Sequence, residues 1–183
     1  WSLTSLVYFF NKLNAKIFKV EKVKTHGGSL RIYITRDFNK KSDLSVQKIL
    51  NEEENFGIKK FSTYQKFSKK ILKLKENVIS NIVKLKNGSK KIIGYGSPAK
   101  ATTALNYYGI SKEIDFIVED NKLKHGKIIP GVNIPICSKE KVKDKNSTII
   151  VFAWNFFNSI KKNNSNLSNK FVNIKSLEKN EIN

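Results

Sequence analysis

The chain has 183 residues, a length that allows one ordinary domain or one domain joined to part of another. Hydrophobic residues make up 39% of it, and the single cysteine, Cys137, excludes a disulfide framework, a cysteine-rich zinc site and an iron–sulfur cluster built from this chain alone. No apolar run approaches the roughly 18–20 residues of a membrane span, and the first ten residues lack the features of a signal peptide. We expect a cytoplasmic protein with no membrane partner. Because the chain has no methionine and begins with Trp1, we also expect it to be a fragment.

The net charge of +20 raises the question of nucleic-acid binding. Only two of the 35 basic residues, Arg31 and Arg36, are arginines, whereas phosphate and base recognition favours the bidentate guanidinium group. The lysines are spread along the chain, and neither zinc-finger spacing nor an RNA-binding aromatic motif occurs. The composition therefore predicts no specific nucleic-acid partner.

Residues 1–36 show the pattern of a helix followed by two strands. Apolar residues at helical spacing run from Leu3 to Leu13, an extended segment follows at residues 17–23, and apolar and polar residues alternate over residues 30–35 after a glycine turn. A helix and two strands alone do not make a domain, so this segment is expected to join a larger sheet.

Residues 44–87 are predicted to be helical, with a break at Phe56–Gly57. From Phe61 to Leu85, apolar residues recur every three or four positions between lysine, serine, asparagine and glutamate residues. This spacing is typical of a long amphipathic helix packed on one side. Asn87–Gly88 is a typical stop signal for such a helix.

Buried strands alternate with helices over residues 88–175. Strands are predicted near residues 91–94, 114–118, 132–136, 147–152 and 171–174, and helices at residues 99–108 and near 156–163. This alternation predicts an α/β fold with a doubly wound parallel sheet. The tail after Lys175 is predicted to be frayed.

A glycine-rich turn, Gly94-Tyr95-Gly96-Ser97-Pro98-Ala99-Lys100, lies where the first of these strands becomes a helix. Glycines there allow close backbone approach, and the helix start offers free N–H groups and a partial positive charge to an anion, to which Lys100 would add. Ala99 replaces the third glycine of a dinucleotide fingerprint, and the spacing is not that of a Walker loop. The pattern fits an anion site and a purely structural turn equally well.

Two further polar groups follow the next buried strands. Glu119-Asp120-Asn121 comes about 25 residues after the glycines, and Trp154-Asn155 follows the strand near residues 147–152. In open α/β sheets, ligands lie at the carboxyl ends of the strands, so an acidic residue there is placed to bind a ribose. The cap of a helix or turn gives the same acidic pattern, and that alternative stays open. Trp154 would offer a stacking surface.

Neither histidine forms a recognisable catalytic set. His26 lies in a strained turn, where a structural cap is a more frequent role than a base, and His125 lies in a lysine-rich loop without an obvious partner. No Ser-His-Asp set, carboxylate pair or metal-ligand spacing can be assembled. We therefore predict no catalytic residue and no metal site in this chain.

Several ordered segments carry a family resemblance: Ser2–Leu6, Thr25–Arg31, Ile93–Lys100, Leu105–Tyr107, Asp115–Asn121, Gly126–Lys127, Pro130–Gly131, Ile134–Ile136 and Ala153–Phe156. Together they resemble the C-terminal domain of S-adenosylmethionine-dependent sugar C-methyltransferases. Those enzymes methylate a carbon of nucleotide-linked keto-deoxysugars. The resemblance covers residues 1 to about 175.

The resemblance implies three parts. Residues 1–36 would be the last helix and strand pair of a class I methyltransferase domain, residues 37–87 a helical connection, and residues 88–183 a Rossmann-like domain that helps enclose the nucleotide-linked sugar. S-adenosylmethionine would be bound mainly by the missing upstream domain, and zinc only by the family's N-terminal domain. The catalytic base would lie before Trp1, so the fragment alone is expected to be inactive.

The resemblance and the motif positions together give a set of expected substrate-binding residues: Gly94, Tyr95, Gly96, Lys100, Asn106, Asp120, Asn121, Trp154 and Asn155. The alternative function is a stand-alone nucleotide-sugar or dinucleotide-binding Rossmann module without catalysis.

Overall fold

The structure, a computed structural model, describes residues 1–88, 91–167 and 169–179, apart from the side chain of His26. The chain divides into two compact units, Trp1–Ser68 and Lys69–Asn183. Each unit has its own hydrophobic core.

The first unit builds a small core from two helices and a hairpin. Helix α1 (Leu3–Lys12) is followed by strands β1 (Lys16–Val23) and β2 (Ser29–Thr35), which pair antiparallel with each other. Helix α2 (Leu44–Phe56) packs against β1 and α1. The predicted order of helix, strand and strand is confirmed, and α2 contributes to the same core. The buried residues of that core are Leu3, Ile17, Val20, Val46 and Ile49.

Two helices of the 44–87 region form as the sequence pattern predicts. Helix α2 ends at Gly57, whose φ of 77° is the left-handed conformation that glycine adopts without strain. Helix α3 (Phe61–Gly88) then runs for 28 residues and stops at the predicted position. Its apolar stripe is buried only in the C-terminal half, where the side chains of Val78, Ile82 and Leu85 join the core of the second unit.

The second unit is a five-stranded parallel sheet with helices on both faces. Its strands are β3 (Ile92–Tyr95), β4 (Ile117–Val118), β5 (Ile136–Cys137), β6 (Thr148–Val151) and β7 (Lys170–Asn173), and its helices α4 (Ala99–Tyr108), α5 (Phe157–Asn163) and α6 (Ile174–Glu178). The strand order is β5-β4-β3-β6-β7. This order confirms the Rossmann-like, doubly wound fold.

The sheet is covered on both sides, which explains why its central strands are continuous apolar runs. Every residue of β3 and β6 is buried. One face packs against α3, α4 and α6, and the other packs against α5 and the segments beside it. The chain leaves β3 toward β4 on one side and returns to β6 on the other. The carboxyl ends of β3 and β6 therefore border the crevice at the topological switch point.

Some element bounds differ from the expected ones. The strand expected over residues 114–118 has ladder pairing only at Ile117–Val118, and the segment before β5 pairs only by a bridge between Ile128 and Pro135. Of these two segments only β5 lies at the edge of the sheet, and β4 lies between β5 and β3. Apolar composition alone therefore overstates the length of both strands.

The part of the tail that the structure describes after Lys175 is not frayed as predicted, since residues up to Glu178 form helix α6. Residues 180–183 of the predicted tail lie outside the described residues. The side chain of Leu177 is fully buried, and the Asn77 and Asn81 amides donate hydrogen bonds of 2.9 and 2.8 Å to the carbonyls of Glu178 and Leu177. These bonds come from residues about 100 positions away, so no local pattern reveals them.

Candidate functional site

A cavity of about 310 Å³ lies at the carboxyl ends of β4, β3 and β6. Those three strands are adjacent and parallel, so the residues that follow them converge. The apolar part of the lining includes Phe152, Phe156 and Ile160, and the polar part includes carboxylate, amide and ammonium groups. Six of the nine predicted residues line it: Tyr95, Gly96, Lys100, Asp120, Trp154 and Asn155.

The other three predicted residues lie outside this lining. Gly94 faces the core, where a Cβ would lie 2.8 Å from Cγ1 of Ile117. The Asn106 amide donates a 3.0 Å hydrogen bond to the Pro130 carbonyl and thereby fastens a turn. The side chain of Asn121 caps the next turn by accepting a hydrogen bond from the backbone two residues later. All three residues have structural partners here.

Gly96 is required by packing within the chain. Its φ is 85°, and a Cβ at this position would lie 2.8 Å from the Cβ of Ala153. Its N–H donates a 2.8 Å hydrogen bond to the carbonyl of Val118. The turn is therefore closed against the segment after β6, and the glycine permits that contact.

The backbone N–H of Ser97, where an anion was expected, already has a carboxylate. Glu119 accepts hydrogen bonds from the Ser97 N–H at 2.9 Å and from the Ser97 hydroxyl at 2.5 Å, and the ammonium group of Lys124 lies 3.4 Å away. The donor groups of Ser97 are thus satisfied within the protein. A carboxylate of the protein therefore lies at Ser97, two residues before the start of helix α4, where a phosphate group would meet its negative charge.

The same contacts set the charge of Glu119. Burial disfavours the ionised form, but hydrogen bonds from the Ser97 hydroxyl and from the backbone of Asn121 and Ser97, with the charge of Lys124, outweigh it and lower the pKa of Glu119 to about 2. Glu119 is therefore a fixed anion at neutral pH.

Asp120 is held in place by a buried tyrosine. The hydroxyl of Tyr95 donates a 2.7 Å hydrogen bond to Oδ1 of Asp120 and accepts one of 3.1 Å from the amide of Asn164. The pKa of Tyr95 is raised to about 12, mainly because the residue is buried and secondly because its hydroxyl donates a hydrogen bond to Asp120. The exposed carboxylate of Asp120 is thus presented to the cavity in one orientation.

Trp154 forms a wall of the cavity between two lysines. The ammonium groups of Lys100 and Lys175 lie 4.7 and 4.9 Å from the centroid of its ring, within the range of cation–π attraction. Lys100 belongs to the first turn of α4, where the helix dipole already gives a positive potential. The ammonium group of Lys100 lies against the indole ring of Trp154, whereas the sequence predicted a contact with an anion at the turn.

No sequence pattern predicts the contacts that Glu119, Lys124 and His125 make in the folded chain. The acidic run was noticed, but its partner Ser97 lies 22 positions earlier, and no spacing rule links them. His125, expected to lack a partner, has its Nε2 2.7 Å from the carbonyl oxygen of Glu119. The side chain of the other histidine, His26, lies outside the described residues.

Glu119 and Tyr95, two titratable residues of the cavity lining, are poorly suited to act as a general base at neutral pH. A general base works best when its pKa lies near the working pH, whereas the pKa values of Glu119 and Tyr95 lie far to either side of neutrality. Carboxylate and amide groups beside a flat aromatic wall can bind the hydroxyl groups and the ring of a small polar ligand. The chemistry of the lining is therefore suited to such a ligand.

Two features are not found within the described parts of the chain. No group of three or more His, Cys, Asp or Glu side chains is placed to hold a metal ion there. No helix in those parts is long and apolar enough to cross a bilayer.

A Rossmann-like unit with a cavity at its switch point defines the class, an α/β domain with a doubly wound parallel sheet. The chain belongs to the C-methyltransferase C-terminal domain family, whose sequence profile matches residues 24–174. It is also 28% identical over 159 residues to the C-methyltransferase NovU of Streptomyces niveus, an alignment that covers 85% of this chain and 38% of the relative. The chain therefore spans well under half the length of that curated relative. The family resemblance seen in the sequence is confirmed.

Membership of a methyltransferase family implies S-adenosylmethionine as methyl donor, and the glycine-rich turn does not fit it. A nucleoside cofactor at such a turn needs close approach to the glycine backbone. Here Ala153 lies against Gly96, and the N–H groups of Gly96 and Ser97 are bonded to Val118 and Glu119.

Proposed function

We propose that this chain is the part of a sugar C-methyltransferase that binds and encloses a nucleotide-linked keto-deoxysugar. The methyl group of the reaction comes from S-adenosylmethionine, bound by another part of the enzyme. The observation that carries the proposal is the cavity at the switch point, where the oriented carboxylate of Asp120 lies on the same lining as the indole of Trp154.

The chemistry of the lining supports a sugar ligand. An ionised carboxylate accepts hydrogen bonds from hydroxyl groups, and an amide such as that of Asn155 both donates and accepts them. The face of Trp154 supplies a flat apolar surface for the ring carbons. Membership of a C-methyltransferase family favours this function over a stand-alone nucleotide-binding module.

The proposal is tested by calorimetric titration of a thymidine diphosphate-linked keto-deoxysugar into the chain. Asp120→Asn should weaken binding about tenfold, because a hydrogen bond to a charged group contributes roughly 1.5–3 kcal/mol. The matched control is Asp115→Asn, an exposed aspartate outside the cavity lining. Equal affinity of Asp120→Asn and the parent chain would show that the sugar does not bind here.

We also propose that this chain alone does not methylate the sugar. Methylation of a carbon beside a ketone requires a base that removes its proton, and neither Glu119 nor Tyr95 has a pKa suited to that task. Incubation with S-adenosylmethionine and a panel of keto-deoxy nucleotide sugars should give no product above a heat-killed control. Clear turnover would contradict the proposal.

A further inference from the structure

A chain of hydrogen bonds runs from the interior of the second unit to the cavity at the ends of β3, β4 and β6. Asn164, which follows α5, is 4% exposed and is not one of the described residues that line this cavity. Its amide contacts the hydroxyl of Tyr95 at 3.1 Å, and that hydroxyl contacts Oδ1 of Asp120 at 2.7 Å. Asp120 is exposed and lines the cavity. A buried amide is thus connected, through one hydroxyl group, to a side chain that a ligand would contact.

The direction of these hydrogen bonds is fixed at Asn164. Its Nδ2 donates a 2.8 Å hydrogen bond to the carbonyl of Ile160, a group that can only accept. Rotation of the amide by half a turn would place two oxygen atoms against each other, so the nitrogen is also the atom that contacts Tyr95. The Tyr95 hydroxyl therefore accepts from Asn164, and its single proton is donated to Asp120.

One oxygen of the Asp120 carboxylate is held by the protein, and the other is available. Oδ1 accepts the proton of Tyr95, whereas no hydrogen bond to Oδ2 is found among the described residues. Tyr95 is 1% exposed, so its hydroxyl group holds Oδ1 in one place. An ionised carboxylate accepts hydrogen bonds and donates none. The side of the cavity at Asp120 therefore presents an oriented acceptor.

We infer that Asn164 is a positioning residue: acting through Tyr95, it orients Asp120 to select a hydroxyl group of the ligand and to reject a carbonyl oxygen at the same place. A hydroxyl group can donate to Oδ2, whereas a carbonyl oxygen has no proton to donate and would face the negative charge. A site built to bond a hydroxyl group binds analogues without it much more weakly. The inference rests on the proposed function and adds to it that Asp120 contacts a hydroxyl group of the sugar and not its ketone.

The probes are the thymidine diphosphate-linked keto-deoxysugar and analogues in which one ring hydroxyl at a time is replaced by fluorine, which cannot donate a hydrogen bond. The dissociation constant of each is measured by calorimetry. With the parent chain, one analogue should bind about tenfold more weakly than the sugar, because one charge-assisted hydrogen bond is lost. We call this ratio of dissociation constants the hydroxyl preference.

Tyr95→Phe and Asn164→Ala should each lower the hydroxyl preference to about threefold, because the Asp120 carboxylate is then no longer held in the binding orientation. The double variant should show no further decrease, since Asn164 acts only through Tyr95. A purely structural role of Asn164 would instead weaken the binding of sugar and analogue by the same factor and leave the preference unchanged.

A second variant at the same position is Asn164→Leu, which keeps the branching of the side chain and has no N–H group. It should show the same low hydroxyl preference as Asn164→Ala. Asp120→Asn should abolish the preference, because the Tyr95 proton holds the amide oxygen and the NH₂ group then faces the cavity.

Asn169→Ala is the matched control. The amide of Asn169 donates hydrogen bonds of 2.9 and 3.0 Å to the carbonyls of Asp144 and Ser147, away from the cavity lining. Its replacement should lower the stability in urea and leave the hydroxyl preference at the parent value. The inference is overturned if the Asn164 variants keep the same preference as Asn169→Ala, or if Tyr95→Phe keeps that of the parent.

The same titrations separate this inference from the proposed function. If Asp120→Asn weakens binding of the sugar but every fluorinated analogue binds to the parent chain within about twofold of the sugar, the sugar site stands and the selection of a hydroxyl group falls. Absence of sugar binding to the parent chain would overturn both.

Discussion

The two units use similar residues but bury them to different degrees. In the first unit, β1 and β2 form an isolated pair whose residues are mostly half-buried, around a core of five buried side chains. In the second unit, β3 and β6 are buried throughout, because helices cover both faces of a five-stranded sheet. A strand with neighbouring strands on both sides and helices on both faces buries far more apolar surface away from water. The second unit should therefore hold the higher local stability.

In both units, a carboxylate from a distant residue accepts hydrogen bonds from backbone N–H groups. In the first, the carboxylate of Glu53 accepts hydrogen bonds of 2.6 and 2.7 Å from the backbone N–H groups of Leu3 and Thr4 at the start of α1. In the second, Glu119 does the same for Ser97. A helix or turn whose first N–H groups lack partners can be completed by a carboxylate from another element. The two units thus differ in the amount of buried surface and not in the type of contact.

The largest expected effect comes from shortening one leucine in each core. Leu3 and Leu105 are both fully buried. Leu105→Ala should lower the stability of the second unit by about 2–5 kcal/mol, and Leu3→Ala should cost the first unit about 2 kcal/mol or less, because a small core relaxes around the gap. Hydrogen exchange resolved to peptides measures both, and in the parent chain β3 and β6 should be protected longer than β1 and β2. Equal protection of the two pairs of strands would contradict the expected difference in stability between the units.

An intermediate effect is expected from alanine at two glycines of similar backbone conformation. Gly96 and Gly27 have φ values of 85° and 87°, but only Gly96 has a neighbour, Ala153, in the path of a Cβ. Gly27→Ala should cost about 1 kcal/mol through backbone strain alone. Gly96→Ala should cost about 2–4 kcal/mol, because overpacking is added to the strain. Urea denaturation of each variant, followed by circular dichroism, gives the two values, and similar values would show that Ala153 yields.

The smallest effect is expected from acid. The pKa of Glu119 is about 2 in the folded chain against an ordinary value of 4.5. A lowered pKa contributes stability above pH 4.5, and that contribution is lost as the pH falls from 4.5 to 2. The loss should be about 1–3 kcal/mol.

Glu119→Gln should be less stable than the parent at pH 7 and less sensitive to acid between pH 4.5 and 2. Fluorescence of Trp154 in a Trp1→Phe background reports on the second unit during denaturation at each pH. Glu52→Gln, which changes an exposed carboxylate of the first unit paired with Lys22, is the control. A parent chain whose stability is constant over this pH range would disprove the role given to Glu119.

Local sequence signals were sufficient for the order of the elements. Gly57 and Gly109 end their helices in the left-handed conformation, and the alternation of strands with helices specified a parallel sheet. Convergence of Tyr95, Asp120 and Trp154 followed from their positions just after adjacent strands.

What could not be predicted depends on contacts between distant parts of the sequence. Asn106 fastens the Pro130 turn, and Asn77 and Asn81 hold α6, across separations of 24 to 101 positions. The contact between Glu119 and Ser97 could not be predicted for the same reason, since 22 positions separate the two residues. An asparagine or glutamate that contacts a ligand and one that satisfies a backbone group look alike in sequence, and only the folded chain distinguishes them.

The placement of Glu119 also has an evolutionary consequence. Its carboxylate is the protein's own substitute for a bound anion, so the turn is complete without a ligand. Replacement by glycine, which needs a single base change in a glutamate codon, would free the N–H and hydroxyl of Ser97. It would also leave the ammonium group of Lys124, which still donates to the Ser97 carbonyl, without its carboxylate partner. A lineage carrying that change would gain three convergent donors without any alteration of the sheet. Relatives with a small neutral residue at this position are where a new phosphate specificity would first arise.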